Sequence, residues 1–250
     1  MTDTAKGLTG SGTQGSHWVQ ITRWLLLAAL VWAVCFAALA ILHLFTLESL
    51  IAAADIYQLA LGFALAAVLL ASLKTSRSRS AVLVTSLAIL SWTLGQLFWF
   101  SYTLLMQTPL PYPSVGDLGF TGTYFLLIGA LSVLEQEENR AKGDKLAFVL
   151  LLIPLLLAIF GKSAPAVKLY NFVLGLAAAW TLYKALPLRH ARKNRWLLGG
   201  ILVLAATDAV FMASVVLLRG SMTATTAPLY PLALALISYG ILKREAGTHD

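Results

Sequence analysis

Long apolar runs separated by short polar loops make up most of this chain. A helix needs about 20 predominantly apolar residues to cross the hydrocarbon core of a bilayer. The pattern predicts eight such helices, at 22–46, 50–73, 81–106, 117–134, 146–161, 166–187, 196–218 and 227–243. The fifth has 16 residues, contains Pro154 and is the shortest of the eight. The predicted fold class is therefore an all-α integral membrane protein with eight transmembrane helices.

Polar segments at both ends set the predicted domain boundaries. Residues 1–16 are rich in Gly, Thr and Ser, a composition typical of disordered segments, and we predict a disordered cytoplasmic tail there. Residues 17–244 form the predicted eight-helix membrane domain, and residues 245–250 form a second cytoplasmic tail.

The composition agrees with a membrane protein and excludes several chemistries. The chain is 59% hydrophobic and 12% charged, whereas a soluble domain carries about 25% charged residues. Cys35 is the single cysteine, so an intrachain disulfide and a cysteine metal site are excluded. The sequence contains no P-loop, no H-E-x-x-H zinc motif and no G-x-S-x-G elbow. We therefore expect no cofactor and no metal site.

The basic residues are distributed asymmetrically among the predicted loops. Of the 18 Lys and Arg residues, only Lys162, Lys168 and Arg219 fall on one side of the predicted topology. Because cytoplasmic loops carry the excess of basic residues, both termini are predicted to be cytoplasmic, in a bacterial inner membrane. Basic loops of this kind contact membrane lipids, and the loop at 189–195 could also bind a cytoplasmic signalling partner. Nucleic acid is not an expected partner.

A weak internal similarity relates the two halves of the chain. Gln96 lies 33 residues before Gly129, and Asp208 lies 32 residues before Gly240. This spacing suggests two parallel four-helix repeats, although chance accounts for two aligned polar positions equally well.

Asp208 is the leading candidate for function. It lies within the apolar run 196–218, and a carboxylate at bilayer depth is costly unless it is paired, hydrated or functional. It could be a ligand-binding group, an acid or base, or a structural carboxyl hydrogen-bonded to a neighbour such as Gln96.

A polar and aromatic stripe follows the third predicted helix. Trp92, Gln96, Trp99 and Tyr102 recur at nearly helical spacing and could line a ligand pocket. Aromatic residues near a helix end could equally form an interfacial belt.

The loop that follows is the third candidate region. Three prolines keep the segment from Pro109 to Pro113 extended, and Tyr112 lies within it. Ser114 and Asp117 fit a capping box for the fourth helix, which explains them as well as ligand binding does. Tyr124, on that helix, completes the set of candidate ligand-binding residues.

These residues give the chain a resemblance to a recurring bacterial membrane domain. The segments that carry it are Leu94–Trp99, Leu110–Asp117, Tyr124, Leu127–Leu131 and Ala206–Asp208. The domain that they resemble precedes diguanylate cyclase and phosphodiesterase modules and implies a sensory function. No such module follows within residues 1–250, so we expect either that the output resides in a separate protein or that the chain is a stand-alone relative.

The chain is also similar, more weakly, to lysoplasmalogenase-type proteins with eight spans. That resemblance, carried by Asp208 after Thr207, implies a hydrolase acting on lysolipids with Asp208 as general acid or base, and Asp117 could supply a second carboxylate. Gln96 stands where those proteins have an acidic residue, and an amide cannot act as an acid or base.

Three functions follow from these observations. The first is a non-catalytic sensory module that binds a small or lipidic ligand or a membrane partner. Its ligand-binding residues would be Trp92, Gln96, Trp99, Tyr102, Tyr112, Ser114, Asp117, Tyr124 and Asp208. The alternatives are the lysolipid hydrolase and an accessory subunit of a larger membrane complex.

Overall fold

A computed structural model describes residues 10–106, 113–137, 164–217 and 226–247. Within these ranges the chain is all-α, with seven helices and no strand. They are α1 (Gly10–Ile41), α2 (Leu47–Ser72), α3 (Arg79–Phe100), α4 (Val115–Glu137), α5 (Pro165–Ala185), α6 (Arg195–Leu217) and α7 (Leu229–Ala246). The predicted helix at 146–161 and the candidate residue Tyr112 lie outside the described residues.

Six of the described helices are long and apolar enough to cross a membrane. The candidate spans are Gly15–Ile41, Glu48–Ser72, Arg79–Phe100, Val115–Gln136, Pro165–Arg189 and Arg192–Ser214. α7, with 18 residues and three charged residues near its end, is not among them. The chain is therefore a multi-pass membrane protein with six candidate spans, fewer than the eight helices predicted.

Two helix ends differ from the predicted bounds. α1 begins at Gly10 and so includes residues 10–16 of the segment predicted as a tail. Extension of an existing helix costs less than its nucleation, which permits a polar start. α3 is followed by a π-helical turn, Ser101–Leu105, in place of the continuous α-helix predicted to 106.

The helices pack in chain order around a ring. Each helix contacts the next one along the sequence, and α7 closes the ring by packing against α1. α7 also contacts α2 and α3 across the ring. It thus packs against four of the six other described helices and lies nearest the middle of the bundle. Ala233, Ile237 and Ile241 of α7 are fully buried accordingly.

Two helix pairs are drawn together by glycine. A Cβ atom at Gly119 of α4 would lie 2.6 Å from the carbonyl oxygen of Ser91 on α3. In the other pair, a Cβ at Gly240 of α7 would lie 2.6 Å from Cα of Leu197 on α6. Because these distances are below van der Waals contact, only glycine permits such close packing.

The two ends of the bundle carry different groups. We call the end that holds Lys184, Arg195 and Lys243 the basic end, and the opposite end the far end. At the basic end, Lys184 near the end of α5 pairs with Glu135 near the end of α4 at 2.6 Å. At the far end, the Tyr170 hydroxyl of α5 donates to the Asp117 carbonyl oxygen of α4 at 3.4 Å. α4 and α5 therefore run parallel.

Candidate functional site

Asp208 is held between two tyrosines from different helices. It is the fourteenth of the 23 residues of α6, and only 6% of its surface is exposed. The Tyr124 hydroxyl of α4 donates to its Oδ2 atom, and the Tyr230 hydroxyl of α7 donates to its Oδ1 atom at 2.7 Å. Because a carboxylate has about four acceptor positions, two remain for water or a ligand.

Gln96 hydrogen-bonds to a carboxylate other than Asp208. Its Nε2 atom donates to Oδ1 of Asp55 on α2 at 2.8 Å. The structural role considered for Gln96, as the partner of Asp208, is therefore not the arrangement found. Gln96 is 8% exposed and its side chain reaches the same central region as Asp208.

Asp117 caps the helix on which it stands. Its Oδ2 atom accepts hydrogen bonds from the Ser114 backbone N–H at 2.5 Å and from the Ser114 hydroxyl at 2.9 Å. The backbone bond is the half of a capping box in which the third helical residue reaches back to the N-cap. Capping thus occupies one oxygen of Asp117, which is 2% exposed.

A small cavity brings these side chains together. It has a volume of about 60 Å³ and is lined by residues of α3, α4, α5, α6 and α7. Its lining residues are Gln96, Trp99, Asp117, Phe120, Tyr170, Leu174, Asp208, Phe211 and Tyr230. We call this the Asp208 cavity. A cavity needs roughly 10–15 Å³ of accessible volume for each water molecule that it holds, so there is space for about four to six water-sized groups.

Aromatic rings form most of the wall of the Asp208 cavity. The Trp99 ring lies 6.4 Å from Phe120 and 6.2 Å from Phe211, between ring centroids. Trp92, which is 2% exposed, packs behind this layer against Phe120 at 5.6 Å and Tyr230 at 5.3 Å. Edge and tilted contacts of this kind hold the rings in fixed orientations.

A second, larger cleft adjoins the cavity at the far end. It has a volume of about 620 Å³ and lies between the π-helical turn after α3 and the first turns of α4 and α5. Tyr102, Ser114 and Thr121 line it, and it shares Asp117 and Tyr170 with the Asp208 cavity. We call it the far cleft.

The seam between α5 and α6 contains an apolar groove. Its volume is about 400 Å³, and small side chains such as Gly175, Ala178 and Ala205 line it. Leu174 and Asp208, which line the Asp208 cavity, are the immediate chain neighbours of Gly175 and Ala209 in this groove.

The structure distributes the predicted site residues over three positions. Gln96, Trp99, Asp117 and Asp208 line the Asp208 cavity. Tyr124 and Trp92 contact residues of its wall from behind. Tyr102 and Ser114 lie in the far cleft, and Tyr112 is outside the described residues.

Tyr102 departs from the predicted stripe for a geometric reason. The spacing from Trp92 to Tyr102 assumes a continuous α-helix, but Ser101–Leu105 is π-helical. α3 ends at Phe100 and Tyr102 is the second residue of the π-helical turn, so the predicted stripe ends at Trp99. Tyr102 instead stacks on Phe98, at 4.9 Å between ring centroids.

Sequence reasoning missed five wall residues, namely Phe120, Tyr170, Leu174, Phe211 and Tyr230, and also Asp55 as the partner of Gln96. Tyr170 and Tyr230 both lie near helix starts, where tyrosine is also typical of the membrane interface. The sequence offers one signal for them. A buried tyrosine hydroxyl needs a hydrogen-bond partner, so each of the two is a candidate donor to Asp208.

The arrangement can bind and orient a small polar molecule, since two carboxylates and an amide line one cavity. Within the described residues, no three His, Cys, Asp or Glu side chains are grouped so as to hold a metal ion.

No protein-family model, curated protein or solved structure matches this chain.

Proposed function

We propose that this protein is a non-catalytic membrane module that binds a small or lipidic ligand in the Asp208 cavity. The observation that carries the proposal is a cavity of about 60 Å³ next to two buried carboxylates. A carboxyl with a purely structural role needs its hydrogen-bond partners but no space beside it. Signalling would follow if ligand binding favours one helix arrangement over another and the change is transmitted to the basic loops.

Non-catalytic binding is favoured over hydrolysis by how the polar groups are used. Both oxygens of Asp208 accept tyrosine hydroxyls, and one oxygen of Asp117 caps α4. Gln96, the third polar group, cannot transfer a proton at neutral pH. These hydrogen bonds hold the carboxylates in fixed orientations, which suits the positioning of a ligand.

Native mass spectrometry of the gently purified protein tests the proposal. We expect a bound molecule on the unmutated protein that is lost from Asp208→Asn. Glu48→Gln is the matched control, because it also removes one carboxylate but lies exposed at the start of α2, outside the cavity. Bare protein in all three spectra contradicts ligand binding. A fixed attached protein in all three favours the accessory-subunit alternative.

A lysolipid hydrolase is the second candidate, because Asp117 and Asp208 line one cavity. A panel of lysolipids incubated with the unmutated protein in detergent tests it, with released product measured by mass spectrometry. Turnover that is abolished in Asp208→Asn and retained in Glu48→Gln establishes the hydrolase. Absence of turnover across the panel removes it.

We propose further that the chain crosses the bacterial inner membrane eight times, with both termini in the cytoplasm. The parallel course of α4 and α5 supports an additional crossing, since the end of α4 and the start of α5 belong to opposite ends of the bundle. The segment 146–161 is apolar and lies between them. α7 would provide the eighth crossing.

Cysteine labelling tests this topology in a Cys35→Ala background. We expect a membrane-impermeant maleimide to label Ala164→Cys in intact spheroplasts and Gln136→Cys only after lysis. Both positions are exposed in the structure. Equal labelling of the two in intact spheroplasts contradicts a crossing between them.

A further inference from the structure

We infer that the ligand of the Asp208 cavity is a small organic cation that carries an ammonium group. The inference rests on the proposed binding function and names its ligand class. It starts from the described residues that line the cavity, of which two are acidic, five are aromatic and none is basic.

The charges of the wall select against an anion. Asp117 and Asp208 are 2% and 6% exposed, and no Lys, Arg or His is among the described residues that line the cavity. An anion there would face two carboxyl groups at low dielectric without a compensating positive charge. A cation instead supplies the charge that this wall lacks.

The aromatic rings select an organic cation over a metal ion. The faces of Trp, Tyr and Phe rings carry partial negative charge and attract ammonium groups within about 6 Å. Trp99, Phe120 and Phe211 present such rings to the cavity. Calcium by contrast requires about six to eight oxygen ligands, whereas three of the four carboxylate oxygens already accept hydrogen bonds from Tyr124, Tyr230 and Ser114.

The volume of the cavity limits the size of the cationic group. Space for about four to six water-sized groups corresponds to ethanolamine or tetramethylammonium, and methylammonium would leave room for water. An N–H group of a primary amine can donate to the unused acceptor positions of Asp208. The far cleft, which shares Asp117 and Tyr170 with the cavity, is the adjoining space on the side where α4, α5 and α7 begin.

The ammonium group can come from a free amine or from a lipid headgroup. In the free form, the whole ligand fits within the cavity and the far cleft. In the lipid form, only the headgroup enters and the acyl chains remain in the bilayer. Both sources share the same recognition chemistry.

Isothermal titration calorimetry of the purified, detergent-solubilised protein tests the inference. The probes are ethanolamine and tetramethylammonium, with propan-1-ol as the uncharged isostere of ethanolamine and glycolate as the anionic analogue. We expect both cations to bind at least about tenfold more tightly than propan-1-ol, the equivalent of 1.4 kcal/mol, and glycolate not to bind.

Two variants and a control locate the effect. Asp208→Asn should weaken cation binding at least about tenfold, because it removes the charge. Phe211→Leu keeps an apolar side chain but removes the π face, and should weaken tetramethylammonium more than propan-1-ol. Glu48→Gln should leave all affinities unchanged. If one of these two variants elutes as aggregate, the other variant alone locates the binding site.

The outcomes separate the inference from the proposed function. Equal affinity for ethanolamine and propan-1-ol overturns the cation inference. The cation inference is also overturned if native mass spectrometry shows that the ligand lost from Asp208→Asn is neutral or anionic. The proposed function of ligand binding is then retained. Absence of any ligand by both methods overturns both proposals.

Nanodiscs of defined composition distinguish the two sources. Weaker ethanolamine binding in phosphatidylethanolamine nanodiscs than in phosphatidylglycerol nanodiscs supports a lipid headgroup as the occupant. Equal binding in the two supports a free amine. Both results require that ethanolamine binds, and so both support the cation inference.

Discussion

The α3–α4 pair and the α6–α7 pair are antiparallel neighbours that use glycine at opposite ends. In α3–α4, Gly95, Gly116 and Gly119 make the close contacts at the far end, next to Gln96 and Asp117. In α6–α7, Gly200 and Gly240 make the close contacts, and these lie nearer the basic end. The two helices therefore approach each other most closely at a distance from Asp208.

This difference accounts for the position of the Asp208 cavity. Close packing at the far end of α3–α4 brings Gln96 and Asp117 to one wall. Close packing towards the basic end of α6–α7 leaves larger side chains, Phe211 and Tyr230, around Asp208 at the other wall. A helix pair can therefore create a buried polar space simply by placing its small residues elsewhere.

The same comparison bears on the predicted repeat. Gln96 and Asp208, which the repeat aligns, both line the cavity. Gly129 and Gly240, which the repeat also aligns, differ in how closely a neighbouring helix approaches them. A Cβ at Gly129 would lie at an ordinary 3.5 Å from Val84 Cγ1, whereas a Cβ at Gly240 would lie 2.6 Å from Leu197 Cα. The two-repeat arrangement stays a prediction.

The largest expected effect is at the α6–α7 contact. In Gly240→Ala the new methyl group would overlap the backbone of Leu197, with Cα at 2.6 Å, so the helices must separate. We expect a loss of about 3 kcal/mol in unfolding free energy. The measurement is the unfolding midpoint in detergent.

Gly199→Ala is the control for this change, because no atom lies within 4 Å of its Cβ position. Its midpoint should equal or exceed that of the unmutated protein, since alanine favours helix more than glycine by about 1 kcal/mol. Equal midpoints for Gly240→Ala and Gly199→Ala would show that α6 and α7 are not closely packed at this point.

A somewhat smaller effect is expected at the α3–α4 contact. Gly119→Ala places a methyl group 2.6 Å from the Ser91 carbonyl oxygen, and we expect a loss of about 2 kcal/mol, with Gly129→Ala nearly neutral. Because Gly119 lies beside the cavity wall, Gly119→Ala should also reduce the bound ligand seen by native mass spectrometry, whereas Gly240→Ala should not. Reduction by both variants to the same degree would break the distinction between the two pairs.

The smallest effects concern the two tyrosines that bind Asp208. Tyr124 is 1% exposed, so Tyr124→Phe leaves a buried carboxylate oxygen short of one donor and should cost about 1.5 kcal/mol. Tyr230 lines the cavity, where water can replace its hydroxyl, so Tyr230→Phe should cost about 1 kcal/mol or less.

Unfolding midpoints of these two variants, alone and in an Asp208→Asn background, check the assignment. Each tyrosine effect should shrink when the carboxylate is absent, as expected for directly interacting residues. Unchanged tyrosine effects in the Asp208→Asn background would show that the hydroxyls stabilise the fold in another way.

The sequence alone determined the class of protein and the central residue of the candidate site. Six of the eight predicted helices correspond to described candidate spans, because the cost of exposing polar backbone to lipid requires long apolar helices. Asp208 stands out in the same way, since a carboxylate within an apolar run is costly wherever the helix packs.

The tertiary structure alone decided the partners of these residues. Tyr124, Tyr230 and Asp55 are 84, 22 and 41 residues from the residues that they bind, and helical periodicity carries no information about such pairs. The central position of α7 and the opposite placement of the glycine contacts arise from which faces meet. Periodicity orders side chains around one helix, whereas a cavity depends on the shapes of five helices at once.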